Sequence, residues 1–154
     1  MKLAEALLER ADLNKRIEQL QSRILASASY QEGEVPAEDA SALLSECLTT
    51  IAAREVLVTA INLSNSETRV AVGRTMTELL SARESLRDQH SILARAADAS
   101  AGGWGHRQMR SELRQMSALP VTEVRRQADA IAQQLRELDV LIQRTNWEAD
   151  LRTL

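Results

Sequence analysis

The stretch VTEVRRQADAIAQQLRELDVLI, residues 121–142, places Val121, Val124, Ala128, Ile131, Leu135, Leu138 and Ile142 at alternating spacings of three and four. At about 3.6 residues per turn, that alternation lines seven apolar side chains along one stripe of a helix. Such a stripe is the seam into which a second helix packs. The spacing predicts a helix opening after Pro120 and running to about Asp150, roughly 45 Å long at about 1.5 Å per residue.

The rest of the chain supplies material to pack against that seam. Leu3, Ala6, Arg10, Leu13, Ile17, Leu20 and Ile24 repeat the alternation and predict a first helix ending near Ser27. Ser29 to Pro36 breaks it, because Val35 precedes a proline and is biased away from helix. Glu38 and Asp39 then stand where acidic groups meet the positive end of a helix dipole. A second helix carries Ala40, Leu44, Cys47, Ile51, Arg54, Val58 and Ile61 on its stripe and is expected to end between Asn62 and Asn65, where Asn and Ser favour turns. Ser64 to Arg74 reads as a loop or a brief extended piece. Thr75 and Glu78 stand at capping-box spacing and open a third helix with Met76, Leu79, Arg83, Leu86, His90, Leu93 and Ala97 on one line. That helix ends around Ala101 to Gly103, and the connection to Pro120 is expected to be long and non-helical. The fold class is therefore all-α: four long helices in an antiparallel bundle or coiled-coil-like arrangement.

Composition agrees. A chain of 154 residues buries roughly 70% of its unfolded surface, enough for one domain spanning 1–154. Only 2% of residues are aromatic, none of them Phe, so the core is built from Leu, Ile, Val, Ala and Met. Five Gly and two Pro leave few places where a helix can be interrupted. The net charge of −3 speaks against a general nucleic-acid binder, which is usually basic. One cysteine, Cys47, excludes an intramolecular disulfide, and its apolar neighbours Leu44, Leu48 and Ile51 point to a buried, inert thiol. A reducing, cytoplasmic location follows, since no run of about 20 apolar residues and no signal-peptide core is present.

No constellation carries catalysis. A carboxylate-bridged metal centre in a bundle needs Glu-x-x-His, yet Arg87 and Gly103 stand three residues before His90 and His106. Gly102-Gly103-Trp104-Gly105 has neither the preceding strand nor the following Lys-Ser or Lys-Thr of a phosphate loop. The expectation is a protein with no cofactor, metal or catalytic residues.

Three features remain as candidates for binding. Arg10, Arg54 and Arg83, with His90, interrupt apolar stripes. They form either a core polar network with Glu5, Asp12, Glu55, Glu84 or Asp88, or a set of seam-edge side chains whose stems cover apolar surface and whose heads reach water. The second is the simpler expectation. Val140, Trp147, Leu151 and Leu154 mark a second apolar line near the C-terminal end, expected to be a self-association face unless the 102–120 connection folds over it. Trp104, Arg107, Arg110 and Arg114 compose a loop suited to docking a partner protein or, by stacking and neutralisation, a nucleic acid.

Several short segments also carry a family likeness. Leu3 to Leu7 and Glu9 to Leu13, the connection with Gln31, Glu32, Gly33, Glu34, Pro36, Glu38 and Asp39, and then Thr75, Thr77, Glu78, Leu79 and Arg83 belong to it. So do Arg136 to Asp139, Ile142, Gln143, Asn146 and Trp147. Across nearly its whole length the chain resembles small bacterial helical proteins that carry the name septicolysin. It departs from them after the third helix, where Gly-Trp-Gly replaces a Tyr-containing segment. No catalytic residues carry over from the resemblance, and the name implies a membrane-active, pore-forming protein. Composition and spacing alone favour a non-enzymatic structural or protein-interaction module that self-associates, with a small-ligand or metal-binding bundle as a third reading.

Overall fold

The computed structural model describes residues 1–70, 73–101 and 116–153. It contains four helices: α1 (Leu3–Ser27), α2 (Ala40–Glu67), α3 (Met76–Ser100) and α4 (Val121–Glu148). The chain is all-α, and an isolated antiparallel bridge joins Lys2 to Asp150. Its contacts gather the residues into two compact units, Met1–Val70 with Thr145–Leu154, and Ala71–Arg144. The sequence reads as one domain; the boundary between the units falls within α4.

Unit 1 is built on the antiparallel pair α1 and α2. Arg16 pairs with Glu46, Arg23 with Glu38, and Arg54 Nη1 donates to Asn14 Oδ1 at 3.0 Å, so rising numbers on one helix meet falling numbers on the other. Leu3, Ala6 and Leu20 are buried along the predicted α1 stripe, and Ser27 continues it by one further step. On α2 the seam keeps Cys47, Arg54 and Ile61 of the predicted stripe but takes Leu43, Thr50 and Leu57 in place of Leu44, Ile51 and Val58, and continues to Ser64. Leu44 and Ile51, two members of the predicted stripe, are exposed instead. The physical reason is that both lines are apolar, so periodicity alone does not choose between them.

Local hydrogen bonds set both ends of α2. Asp39 is its N-cap, with the carboxylate accepting from the backbone N–H groups of Ser41 (2.9 Å) and Ala42 (3.1 Å), a device worth about 1 kcal/mol. At the other end the helix runs past the expected Asn62–Asn65 stop to Glu67. Ser64 Oγ donates to Ala60 O and Ser66 Oγ to Leu63 O, each at 2.8 Å, so these hydroxyls fold back onto the helix rather than turn it. Thr68 then becomes extended and stops it. In the turn before α2, Gly33 has φ +93°, a left-handed conformation that glycine adopts without a Cβ penalty.

The last residues of the chain complete the core of unit 1. Leu3, Ala6, Leu57 and Ile61 form a buried cluster against which Leu7, Leu13, Ala149 and Leu151 pack. Leu3 N–H donates to Ala149 O at 3.0 Å and Leu151 N–H to Met1 O at 2.9 Å. Lys2 Nζ donates to Glu148 O (3.0 Å) and pairs with Asp150 Oδ1 (2.8 Å), placing a cation at the negative end of α4. This extended pairing ends α4 at Glu148, two residues short of the prediction. Arg152 N–H donates to Ser64 Oγ at 2.8 Å, and its guanidinium pairs with Glu67.

The surface pairs of this unit carry a pH signature. Arg23 Nε reaches Glu38 Oε1 and Oε2 at 3.1 and 3.0 Å, and these hydrogen bonds hold the Glu38 carboxyl below the usual carboxylate range. A lowered folded pKa means that the stabilisation is fully present above the ordinary Glu value and is lost as pH falls through the folded one. Thermal unfolding of the native chain and of Glu38→Gln at low salt should therefore differ at neutral pH and converge only as pH falls through the folded Glu38 value, below the ordinary Glu range. A gap that persists into acid would contradict the assignment. Because both side chains are partly exposed to solvent, added salt should shrink the gap.

Unit 2 holds α3 and the greater part of α4. Thr75 Oγ1 accepts from Glu78 N–H (3.3 Å), and Glu78 Oε2 accepts from Thr75 N–H (2.6 Å), which is the capping box the spacing predicts. Arg83 Nη1 stands 3.7 Å from Asp139 Oδ1 and Arg125 Nη2 stands 3.9 Å from Asp98 Oδ1, so α3 and α4 run antiparallel. Met76, Leu79 and Ala97 are buried on α3, and Val124, Ala128 and Ile142 on α4, all on their predicted stripes. Residues 116–120 of the connection before α4 are non-helical, whereas 102–115 lie outside the described residues.

Candidate interaction surfaces

The surface that stands out follows from the composition of α2. Its 28 residues hold four charges, Glu46, Arg54, Glu55 and Glu67, and the run from Val56 to Ser66 has none. A helix apolar nearly all round has no single face to bury and needs partners on more than one side. α1 occupies one side. About 100° around the helix from that seam lie Leu44, Leu48 and Ile51, spaced by four and three, with 49%, 58% and 36% of their surfaces exposed. Around this line stand Ser41, Ser45, Ala52 and Thr59, all exposed, small or uncharged, with Glu55 as the charge along it. Cys47, free and buried, faces the α1 side of the same helix.

A second surface lies within unit 2. Gln89, Ile92 and Leu93 of α3 and Gln127, Ala130 and Ile131 of α4 line a groove of about 430 Å³. Gln89 Nε2 donates to Ser85 Oγ (3.1 Å) and Gln127 Nε2 to Glu123 Oε1 (3.0 Å), so each amide is engaged along its own helix. Glu123 also accepts two hydrogen bonds from Arg126, which hold its carboxyl below the usual range.

The residues singled out from sequence fall as follows. Arg10, Arg54, Arg83 and His90 are all half-buried, as expected of seam-edge positions. They do not join into one network: Arg54 bonds Asn14 and Arg83 pairs with Asp139, partners on the facing helix rather than the nominated acids. Of those acids, Glu5 caps the Lys2 N–H and Asp12 pairs with Lys15, one turn along α1. On α4, Val140 and Trp147 are 69% and 55% exposed, in keeping with an outward line. Leu151 departs from it. The helix has already ended, so helical spacing no longer places this residue, and it packs against the Leu3, Ala6, Leu57 and Ile61 cluster. Leu154 lies outside the described residues, as do Trp104, Arg107, Arg110 and Arg114. Of the line Leu44–Leu48–Ile51, the spacing places Leu44 and Ile51 on the predicted α2 stripe and leaves Leu48 off it. The signal for its exposed role is the scarcity of charge on α2.

Among the described residues, no group of three or more His, Cys, Asp or Glu is placed to hold a metal ion. Among them also, no helix is long and apolar enough to cross a membrane.

Paired antiparallel helices with apolar outer faces define an all-α protein whose recognisable surfaces are helix faces. The chain belongs to a family of unknown function (DUF6847), whose model matches residues 10–151. It is also similar to a functionally unknown conserved protein from Corynebacterium diphtheriae, known from its crystal structure. The two are 35% identical over 99% of each chain, with a TM-score of 0.93. No curated protein matches the chain by sequence.

Proposed function

We propose that this chain is a non-enzymatic helical structural or protein-interaction module that works as a self-associated assembly in the cytoplasm. The observation that carries this reading is the exposed line Leu44, Leu48 and Ile51 on a helix with four charges in 28 residues. Contiguous apolar surface of this kind on a water-soluble chain marks an interaction site. Burying a Leu or Ile side chain completely stabilises by about 1.5–3 kcal/mol, so three half-exposed ones on each of two chains contribute several kcal/mol to association. The single buried thiol, Cys47, is consistent with a reducing compartment.

Light scattering coupled to size exclusion tests the reading. The expected result is a mass that is a whole multiple of 17.1 kDa and that persists on dilution to about micromolar concentration. A single-chain mass at every concentration tried would overturn it.

A further inference from the structure

We infer that residues 149–152 are a latch: they lift together from the folded chain, and the surface they vacate takes an extended segment of a partner protein that carries Asp-Leu-Arg. The inference stands apart from the self-association proposed above and uses a different surface. Few contacts hold the latch. Past the end of α4 the chain is extended, and its backbone is tied by Leu3 N–H to Ala149 O (3.0 Å), Leu151 N–H to Met1 O (2.9 Å) and Arg152 N–H to Ser64 Oγ (2.8 Å). Leu151 is only half-buried, and the ion pairs of Lys2 with Asp150 and Arg152 with Glu67 lie at the surface. Beneath the latch, Leu3 and Ala6 belong to α1, and Leu57 and Ile61 to α2. Those two helices are also joined further along, by Arg54 with Asn14, by Arg16 with Glu46 and by the cluster of Leu20, Leu43 and Cys47. These joints do not involve the latch, so its opening is local rather than global.

The contacts of the closed latch define what the open surface recognises. Met1 O and Leu3 N–H pair with backbone, so they accept an extended segment by strand addition and set it antiparallel to residues 1–3. An apolar side chain of that segment rests on the buried cluster, as Leu151 does. Lys2 meets an acid one residue before it, and Glu67 meets a base one residue after it. Opposite charges at the two ends make the surface directional, because a segment with the signs reversed faces a like charge at each end. A second copy is the poorer occupant. Its residues 149–152 have the right sequence, but exchanging latches forms only the contacts that each chain already forms at home, and it adds the entropy cost of association. A foreign segment gains by continuing past the positions the latch fills.

The experiment uses the full chain carrying Lys2→Cys and Asp150→Cys together. Residues 2 and 150 form the non-hydrogen-bonded antiparallel pair between the Met1 and Leu3 bonds, with Cα atoms about 4.5 Å apart in such ladders, within disulfide range. Oxidation shuts the latch and reduction frees it, while Cys47 stays buried beside Leu20 and Leu43. In the native chain the Leu3, Leu151 and Arg152 amides should share one protection against hydrogen exchange, at least about 100-fold below that of Ile17 and Leu20 in mid-α1. Oxidation of the double variant should slow the three at least about tenfold relative to its reduced form. A fluorescent peptide Ala-Asp-Leu-Arg-Thr then probes the vacated surface. It should bind Leu151→Ala about tenfold more tightly than the native chain, since that change loosens the latch and leaves the surface intact. Asp150→Ala should give a smaller gain, about threefold. The oxidised double variant should not bind it, and no chain should bind a peptide of the order Arg-Leu-Asp. If the three amides exchange only as slowly as Ile17 and Leu20, there is no latch and the inference fails. If they exchange early but the peptide binds neither loosened variant, or binds the oxidised chain equally, the recognition surface fails. A covalent dimer from a mixture of Lys2→Cys chains and Asp150→Cys chains would make the occupant a second copy and overturn the foreign partner.

Discussion

Ile61→Ala should lower the unfolding free energy by about 3 kcal/mol and the melting temperature by roughly 6–12 °C. Ile61 is 1% exposed and sits in the cluster with Leu3, Ala6 and Leu57 that α1, α2 and the last residues share. Shortening it removes buried methyl and methylene groups and leaves a cavity, and close-packed neighbours relax only partly into such a space. Its neighbours belong to three separate stretches of the chain, so the loss is felt by all of unit 1. Leu25→Ala, at an exposed position on α1, is the comparison and should change stability by less than about 0.5 kcal/mol. Denaturant unfolding followed by circular dichroism measures both. Equal effects at the two sites would mean that the Leu3–Ile61 cluster is not the core of this unit.

Ending the chain after Asp150 should cost about 3 kcal/mol, the sum of a half-buried leucine and two backbone hydrogen bonds. The shortened chain loses the packing of Leu151, its N–H bond to Met1 O, and the Arg152 N–H bond to Ser64 Oγ. Ser64 is buried, so its hydroxyl oxygen is then left without that donor in a site that water does not readily reach. Amide hydrogen exchange should show loss of protection in the first turn of α1 and the last turns of α2, with the α3 amides unchanged. Arg152→Ala separates the contributions, since it keeps the backbone bond and removes only the exposed pair with Glu67; it should cost less than about 1 kcal/mol. Native-like melting of the shortened chain would show that these contacts contribute nothing.

Legibility of the sequence tracked how sharply each helix divides into a wet and a dry side. α4 carries nine charges in 28 residues, placed away from Val124, Ala128 and Ile142, so its seam is readable from spacing alone. α1 and α3 behave in the same way, and the Thr75–Glu78 cap fixes where α3 starts. α2 does not, because Leu43 and Leu44 begin two apolar lines and only contact with α1 decides which is buried. The exposed line Leu44, Leu48 and Ile51 was hidden by the same ambiguity. The place of Leu151 was illegible for another reason: it depends on contacts between residues far apart in the chain, such as its own N–H with Met1 O and the neighbouring Arg152 N–H with Ser64, 88 positions away. The turn signal at Asn62–Asn65 fails because the Ser64 and Ser66 hydroxyls bond back onto α2.

The closing of unit 1 by residues 145–154 also fixes an order of events at the ribosome. The first 70 residues leave the exit tunnel long before Ala149 and Leu151 are made, so the nascent α1–α2 hairpin waits with Leu3 and Ile61 incompletely covered. Unit 2 is a single run of the chain, residues 71–144, so its parts emerge one after another. The half made first is therefore finished last, and chaperones that shield apolar surface have their longest window on the N-terminal hairpin.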